Sequence, residues 1–193
     1  GFTLVELLVV IAIIALLAAL LLPAIVKSKS IAQRVACINN QEQLQMAHTM
    51  FSDDHGDKIL YSSSWKNEKS AKYAWAAGSL NIEKFGNRAM WLKRSPLYPY
   101  AGKSVGVFKC PADKDMLRIN WNTGKLRELV PRHRSYSMNI HVGGWVGWPV
   151  ENDREWKVYH KQQDIEVPSN IFTFIEMPHG WNSHSFRRRS CRN

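Results

Sequence analysis

The sequence lacks the residue spacings that mark most chemical sites. Its three cysteines, Cys37, Cys110 and Cys191, are too far apart to make a CxxC, which removes the thiol redox pair and the tight zinc knuckle. Seven histidines are present without an HExxH or a close Cys/His cluster, so no transition-metal motif can be drawn. No Ser/His/Asp ordering or nucleophile elbow occurs, and catalysis has no support. There is no internal repeat and no low-complexity tract. Acidic residues are few, 16 against 26 basic, for a formal net charge of +10. The basic residues are scattered apart from Arg187, Arg188, Arg189 and Arg192, so charge alone does not make nucleic acid an expected partner.

The most uneven absence is that of polarity at the start. From Phe2 to Val26 the only polar side chains are Thr3 and Glu6, and Leu7 to Leu22 is an unbroken run of 16 apolar residues. Spanning a bilayer takes roughly 20 residues at about 1.5 Å each, so the stretch is long enough. A buried core helix would not need apolar residues on every face. An amphipathic surface helix would need a polar face. A secretory signal peptide has a shorter apolar core followed by a small-residue cleavage site, whereas here Pro23 to Val26 leads into more helix-like sequence. A plain membrane anchor fits equally well. Glu6 separates the readings, because a carboxylate in an apolar helix is costly and calls for a partner. If the chain were cut between Gly1 and Phe2, a new α-amino group would appear four residues from Glu6. In a staggered helix bundle, Glu6 of one copy could then neutralise the Phe2 amine of the next.

Gly1-Phe2-Thr3-Leu4-Val5-Glu6 followed by a long apolar run resembles the processing site of type IV prepilins and of type II secretion pseudopilins. The resemblance covers about the first 30 residues. It implies a membrane peptidase that cuts after Gly1 and N-methylates Phe2. It makes Glu6 the acidic residue used in assembly and Pro23 the helix-kinking proline. The implied partners are homologous pilin or pseudopilin subunits, the prepilin peptidase and inner-membrane lipid. The implied location is the inner membrane, crossed once, with the head in the periplasm or outside the cell. Lys27, Lys29 and Arg34 just after the apolar run pull the other way, since positive residues favour the cytoplasmic side. Orientation therefore rests on the resemblance. A nucleic-acid-binding minor pilin of a DNA-uptake machine is the alternative function, and it would use Arg187 to Arg189.

Beyond the membrane the helix is expected to continue. Ile31, Val35 and Ile38 lie at i, i+4, i+7, and Leu44, Ala47 and Phe51 at i, i+3, i+7. Both sets are expected to pack on a globular head. Gly56 is the stop signal. A helix from Phe2 to about His55 would be roughly 80 Å long. The expected division is residues 1–30 as motif and transmembrane helix, 31–56 as its amphipathic continuation, and 57–193 as an α+β head.

The fold class is thus α+β, a long N-terminal helix packed on a small antiparallel sheet. Gly106 to Pro111, Arg134 to Val142 and Ile171 to Ile175 are the strand candidates, and Ala74 to Leu92 mixes weak helix with turn signals. The runs Cys37–Asn40, Phe51–Gly56, Phe108–Asp113 and Ser135–Asn139 resemble pilin-like proteins with a processing-associated H-X9-DG domain. The closing Asp-Gly of that group is missing after His179-Gly180, which leaves the last strand undefined by the resemblance.

In an oxidising compartment the cysteines allow one disulfide with one thiol left over, and three pairings are open. Some pseudopilins bind calcium in the head. Here Asp53, Asp54 and Asp57 lack the twelve-residue calcium loop and its closing Glu, and Asp113 and Asp115 are too few, so no cofactor is expected. Trp145 and Trp148 lie among glycines in a loop that could expose their rings to carbohydrate or another subunit, although core packing is the simpler use for them.

Overall fold

The computed structural model describes residue 1 and residues 3–64, 73–76, 89–118, 129–146 and 157–177. One helix, α1, runs from Leu4 to Asp54 without interruption, through Pro23. Thr3 caps its start. At its end the Asp57 N–H donates to the Ser52 carbonyl across Gly56, whose φ is +66°. A left-handed residue just past the last turn is what glycine permits without strain, so the helix stops where Gly56 predicts.

Two regimes divide α1. Every residue from Leu4 to Val26 is exposed, as an apolar rod with nothing against it. From Cys37 onward one face is buried, through Cys37, Leu44, Ala47, His48 and Ser52. This departs in part from the periodicity reading. Leu44 and Ala47 are buried and Phe51 is half-buried, but Ile31, Val35 and Ile38 are 49 to 60% exposed. Those three lie on a different side of the helix from the buried set, and the first fully buried position along α1 is Cys37.

The head is α+β. The short helix α2 spans Ala89–Lys93, overlapping the end of the Ala74 to Leu92 stretch in which weak helix is expected. Among the described residues the strands are β1 (Ser63–Ser64), β2 (Met116–Arg118), β3 (Leu129–Pro131), β4 (Tyr136–Met138), β5 (Trp145–Val146) and β6 (Phe174–Glu176). They pair in twos. β2 with β3 and β4 with β6 are antiparallel, and β1 with β5 is parallel. β6 lies against α1, so the β4–β6 pair is the sheet that receives the helix.

The candidate Arg134 to Val142 shrinks to Tyr136–Met138, the candidate Ile171 to Ile175 shortens and shifts to Phe174–Glu176, and Gly106 to Pro111 is not a strand. Val105–Phe108 instead forms a 3-10 turn, with the Lys109 N–H donating to the Gly106 carbonyl. That turn carries Phe108 into the core and sets Cys110 against α1.

Trp75 sits at the centre of the core. It stacks on Phe108 at 6.2 Å between ring centroids and meets Phe174 edge-on at 5.1 Å, with the Arg134 guanidinium 5.2 Å over its ring. Gly143 has φ +90°, and a Cβ there would stand 1.8 Å from the Leu60 carbonyl oxygen. Only glycine allows these two backbone segments to approach so closely.

Candidate assembly site

At the head of the rod, the Thr3 hydroxyl accepts from the Glu6 N–H at 3.3 Å, while Glu6 Oε2 accepts from the Thr3 N–H at 2.8 Å and from its hydroxyl at 2.7 Å. This is a capping box, in which two otherwise orphaned donors at the helix start satisfy each other's residues. Glu6 is therefore already hydrogen-bonded within its own chain. The Thr-x-x-Glu spacing of a capping box is present in the sequence at Thr3 and Glu6, so this role of Glu6 has a local signal of its own. Gly1 is exposed at the chain start, and Phe2 lies outside the described residues. Pro23 is helical and exposed. Lacking an N–H, it leaves one carbonyl a turn earlier without its helical partner.

The rod meets the head at a reinforced junction. Cys37 on α1 and Cys110 are joined as a disulfide, with 4.7 Å between Cα atoms, and Cys191 lies outside the described residues. Around the bridge, the Asn40 side-chain amide donates to the Lys109 carbonyl at 2.9 Å, and the buried Tyr136 hydroxyl donates to the Cys37 carbonyl at 3.0 Å. The Cys37 and Cys110 sulfurs and the Glu176 carboxylate lie within 4.8 Å of one another, but disulfide-bonded sulfur is not a thiolate ligand.

Behind the junction Arg132 clamps Asp113 through two nitrogens, Nε at 3.0 Å and a terminal nitrogen at 2.9 Å, and reaches Asp115 at 2.8 Å. The Ser135 hydroxyl donates to Asp113 and accepts from the Cys110 N–H at 3.0 Å, which links the ion pair to the bridge. Burial pushes the Asp113 carboxyl up. The hydrogen bonds from Arg132, Ser135 and the Asp115 N–H, together with the Arg132 charge, more than offset it and hold the carboxyl below its ordinary value. Burial, and then the Asp113 charge, raise Glu176. Sequence spacing does not show this cluster, because Asp113 and its partner Arg132 are 19 residues apart.

The other singled-out residues are not brought together. Asp54 accepts from the Tyr100 hydroxyl at 2.9 Å and Asp57 from the Gln163 N–H at 2.9 Å, so both tie α1 and its following turn to distant segments. His55 stacks on Phe51 at 4.0 Å. His48, about two turns earlier, is buried. His179, His184, Trp148 and the Arg187–Arg189 run lie outside the described residues, as do the side chains of Trp145 and Val146.

Among comparisons with known proteins, the family model for the prokaryotic N-terminal methylation motif matches residues 1–22. No curated protein and no solved structure matches the chain.

Proposed function

We propose, from the type IV pilin and pseudopilin signal motif that residues 1–22 carry, that the chain is a structural subunit of a pilus or of a secretion pseudopilus. It is cut after Gly1, methylated on Phe2, and assembled through the first half of α1. Before assembly that half spans the inner membrane once, and the head stands on the periplasmic or outer side. The division is residues 1–30 for motif and membrane helix, 31–56 for the stalk, and 57–193 for the head.

The observation that carries this reading is the state of the rod. All residues from Leu4 to Val26 are exposed while the head closes on the far half of the same helix. A helix apolar on every face must be covered by lipid or by other helices. Lipid serves the stored subunit, and neighbouring rods serve the assembled one. Glu6 supplies register, because an unpaired charge among apolar rods penalises every wrong stagger. The partners are homologous subunits, with the prepilin peptidase acting first.

N-terminal mass spectrometry on protein recovered from its native membrane tests this. The expected mature chain starts at Phe2 and carries one added methyl group. A mature chain that retains Gly1, or protein that fractionates as a water-soluble monomer, would sink the proposal.

A further inference from the structure

Just beyond the rod, α1 carries three cations, Lys27, Lys29 and Arg34, and all three are exposed. From Leu7 to Gln41 the chain has no acidic residue, so nothing along this part of the helix offsets them. Among the described residues the ion pairs lie in the head, at Arg132 and Lys157, and none involves these three side chains. The Ser28 hydroxyl, between the two lysines, donates to the Ala24 carbonyl of its own helix at 2.9 Å.

Their height along the helix decides what they meet. At about 1.5 Å per residue, the exposed rod from Leu4 to Val26 is roughly 35 Å long, slightly more than a hydrocarbon core of about 30 Å. With that core ending near Val26, Lys27 and Lys29 stand about 2 and 5 Å above it, inside a headgroup layer roughly 5–8 Å thick. Arg34 stands about 12 Å above it. Helical side chains lean toward the helix N-terminus, which here is toward the membrane, and the long stem of Arg34 lets its charge reach down to the same layer. Lys27 and Arg34 are two turns apart and share a face, whereas Lys29 lies nearly opposite. A protein partner meets one face of a helix, but a leaflet surrounds it, and these charges are placed around it. A second copy of this chain is also a poor source of anions, with 16 acidic against 26 basic residues.

We infer from this placement that Lys27, Lys29 and Arg34 form a collar that binds the phosphate headgroups of anionic phospholipids in the leaflet on the head's side. The inference rests on the reading of Leu4 to Val26 as a bilayer-spanning rod and adds the lipid class to it. A zwitterionic headgroup carries its own cation beside the phosphate, whereas an anionic surface attracts each Lys or Arg held near it. The stored subunit gathers anionic lipid around the base of its stalk, and those contacts are given up when the rod leaves the bilayer for a filament.

The test uses the full chain in nanodiscs of equimolar phosphatidylglycerol and phosphatidylcholine with matched acyl chains, and native mass spectrometry counts the lipids that stay bound. Phosphatidylglycerol is expected to be retained about fivefold over phosphatidylcholine, the worth of roughly one charge at an anionic surface. The triple variant Lys27→Gln/Lys29→Gln/Arg34→Gln should bring the ratio near one while its circular dichroism is unchanged. Lys58→Gln, which removes an exposed charge beyond the far end of α1, should leave the ratio as it was. Flotation with pure phosphatidylcholine vesicles separates the two readings. A parent chain that does not float refutes the membrane rod, and this inference with it. A parent chain that floats but shows no lipid preference overturns this inference alone. So does a preference that survives the triple variant, or one that falls equally in Lys58→Gln.

Discussion

Replacing Cys37 and Cys110 together by alanine removes the covalent tie between stalk and head, and its cost follows from the chain. The bridge closes a loop of 73 residues. Denying the unfolded chain that loop-closure freedom is worth roughly 4 kcal/mol on the chain-entropy account. The native state loses little else. Both sulfurs are buried, but alanine buries no new polar group, and the Tyr136 hydroxyl and the Asn40 amide still bind backbone carbonyls at the junction. For a chain of this size, each kcal/mol moves the thermal midpoint by about 2–4 °C, so the double variant should melt roughly 10 °C lower. Tryptophan fluorescence of the full chain in nanodiscs reads the transition, since Trp75 lies against Phe108 in the core beside the junction. Added reductant should lower the wild-type midpoint to that of the variant and leave the variant unmoved. Two results would refute the reasoning. One is an unchanged midpoint in a variant whose parent is shown by mass spectrometry to be oxidised. The other is a peptide map that joins Cys191 to either Cys37 or Cys110.

The remaining predictions concern register, pH and backbone fit. Glu6→Gln keeps a side chain able to close the capping box, so membrane insertion should persist while incorporation into sheared filaments falls to background. Thr3→Val breaks the same box without touching the charge and should still be incorporated; if the two variants behave alike, the charge has no role of its own. His48 is neutral in the fold, its pKa pushed by burial from 6.5 to about 4. Its contribution is therefore complete above pH 6.5 and is lost as the pH falls toward 4. The gap, at about 1.4 kcal/mol for each pH unit, is worth roughly 3 kcal/mol. Asp113, held below its ordinary value, adds acid sensitivity of the same sign at lower pH. Denaturant midpoints between pH 7 and 4 check this, and His48→Leu should flatten the upper part of the slope. Gly143→Ala would drive a Cβ into the Leu60 carbonyl at a positive φ, so a loss of about 3 kcal/mol or more is expected in urea unfolding.

Much of this protein is written locally. A stretch apolar on all sides with one acid near its start can be read as a membrane rod from the residues alone, because burial on every face needs no knowledge of the rest of the chain. The stop at Gly56 is equally legible, since glycine takes a positive φ without strain, and Asp57 follows it at φ +68°. The Thr3–Glu6 cap is local in the same way, a Thr and a Glu three residues apart at the helix start. Other features depended on segments far apart in sequence. The outer half of α1 carries two apolar sides, Ile31–Val35–Ile38 and Cys37–Leu44–Ala47, and periodicity cannot rank them. The choice is made where Cys110, Tyr136 and β6 arrive against the helix. The same arrival selected one cysteine pairing of three, made a 3-10 turn of Val105–Phe108, and set Arg132 onto Asp113. Short-range pattern records which faces are apolar, whereas only the packed head determines which of those faces is covered and which polar groups are buried with it.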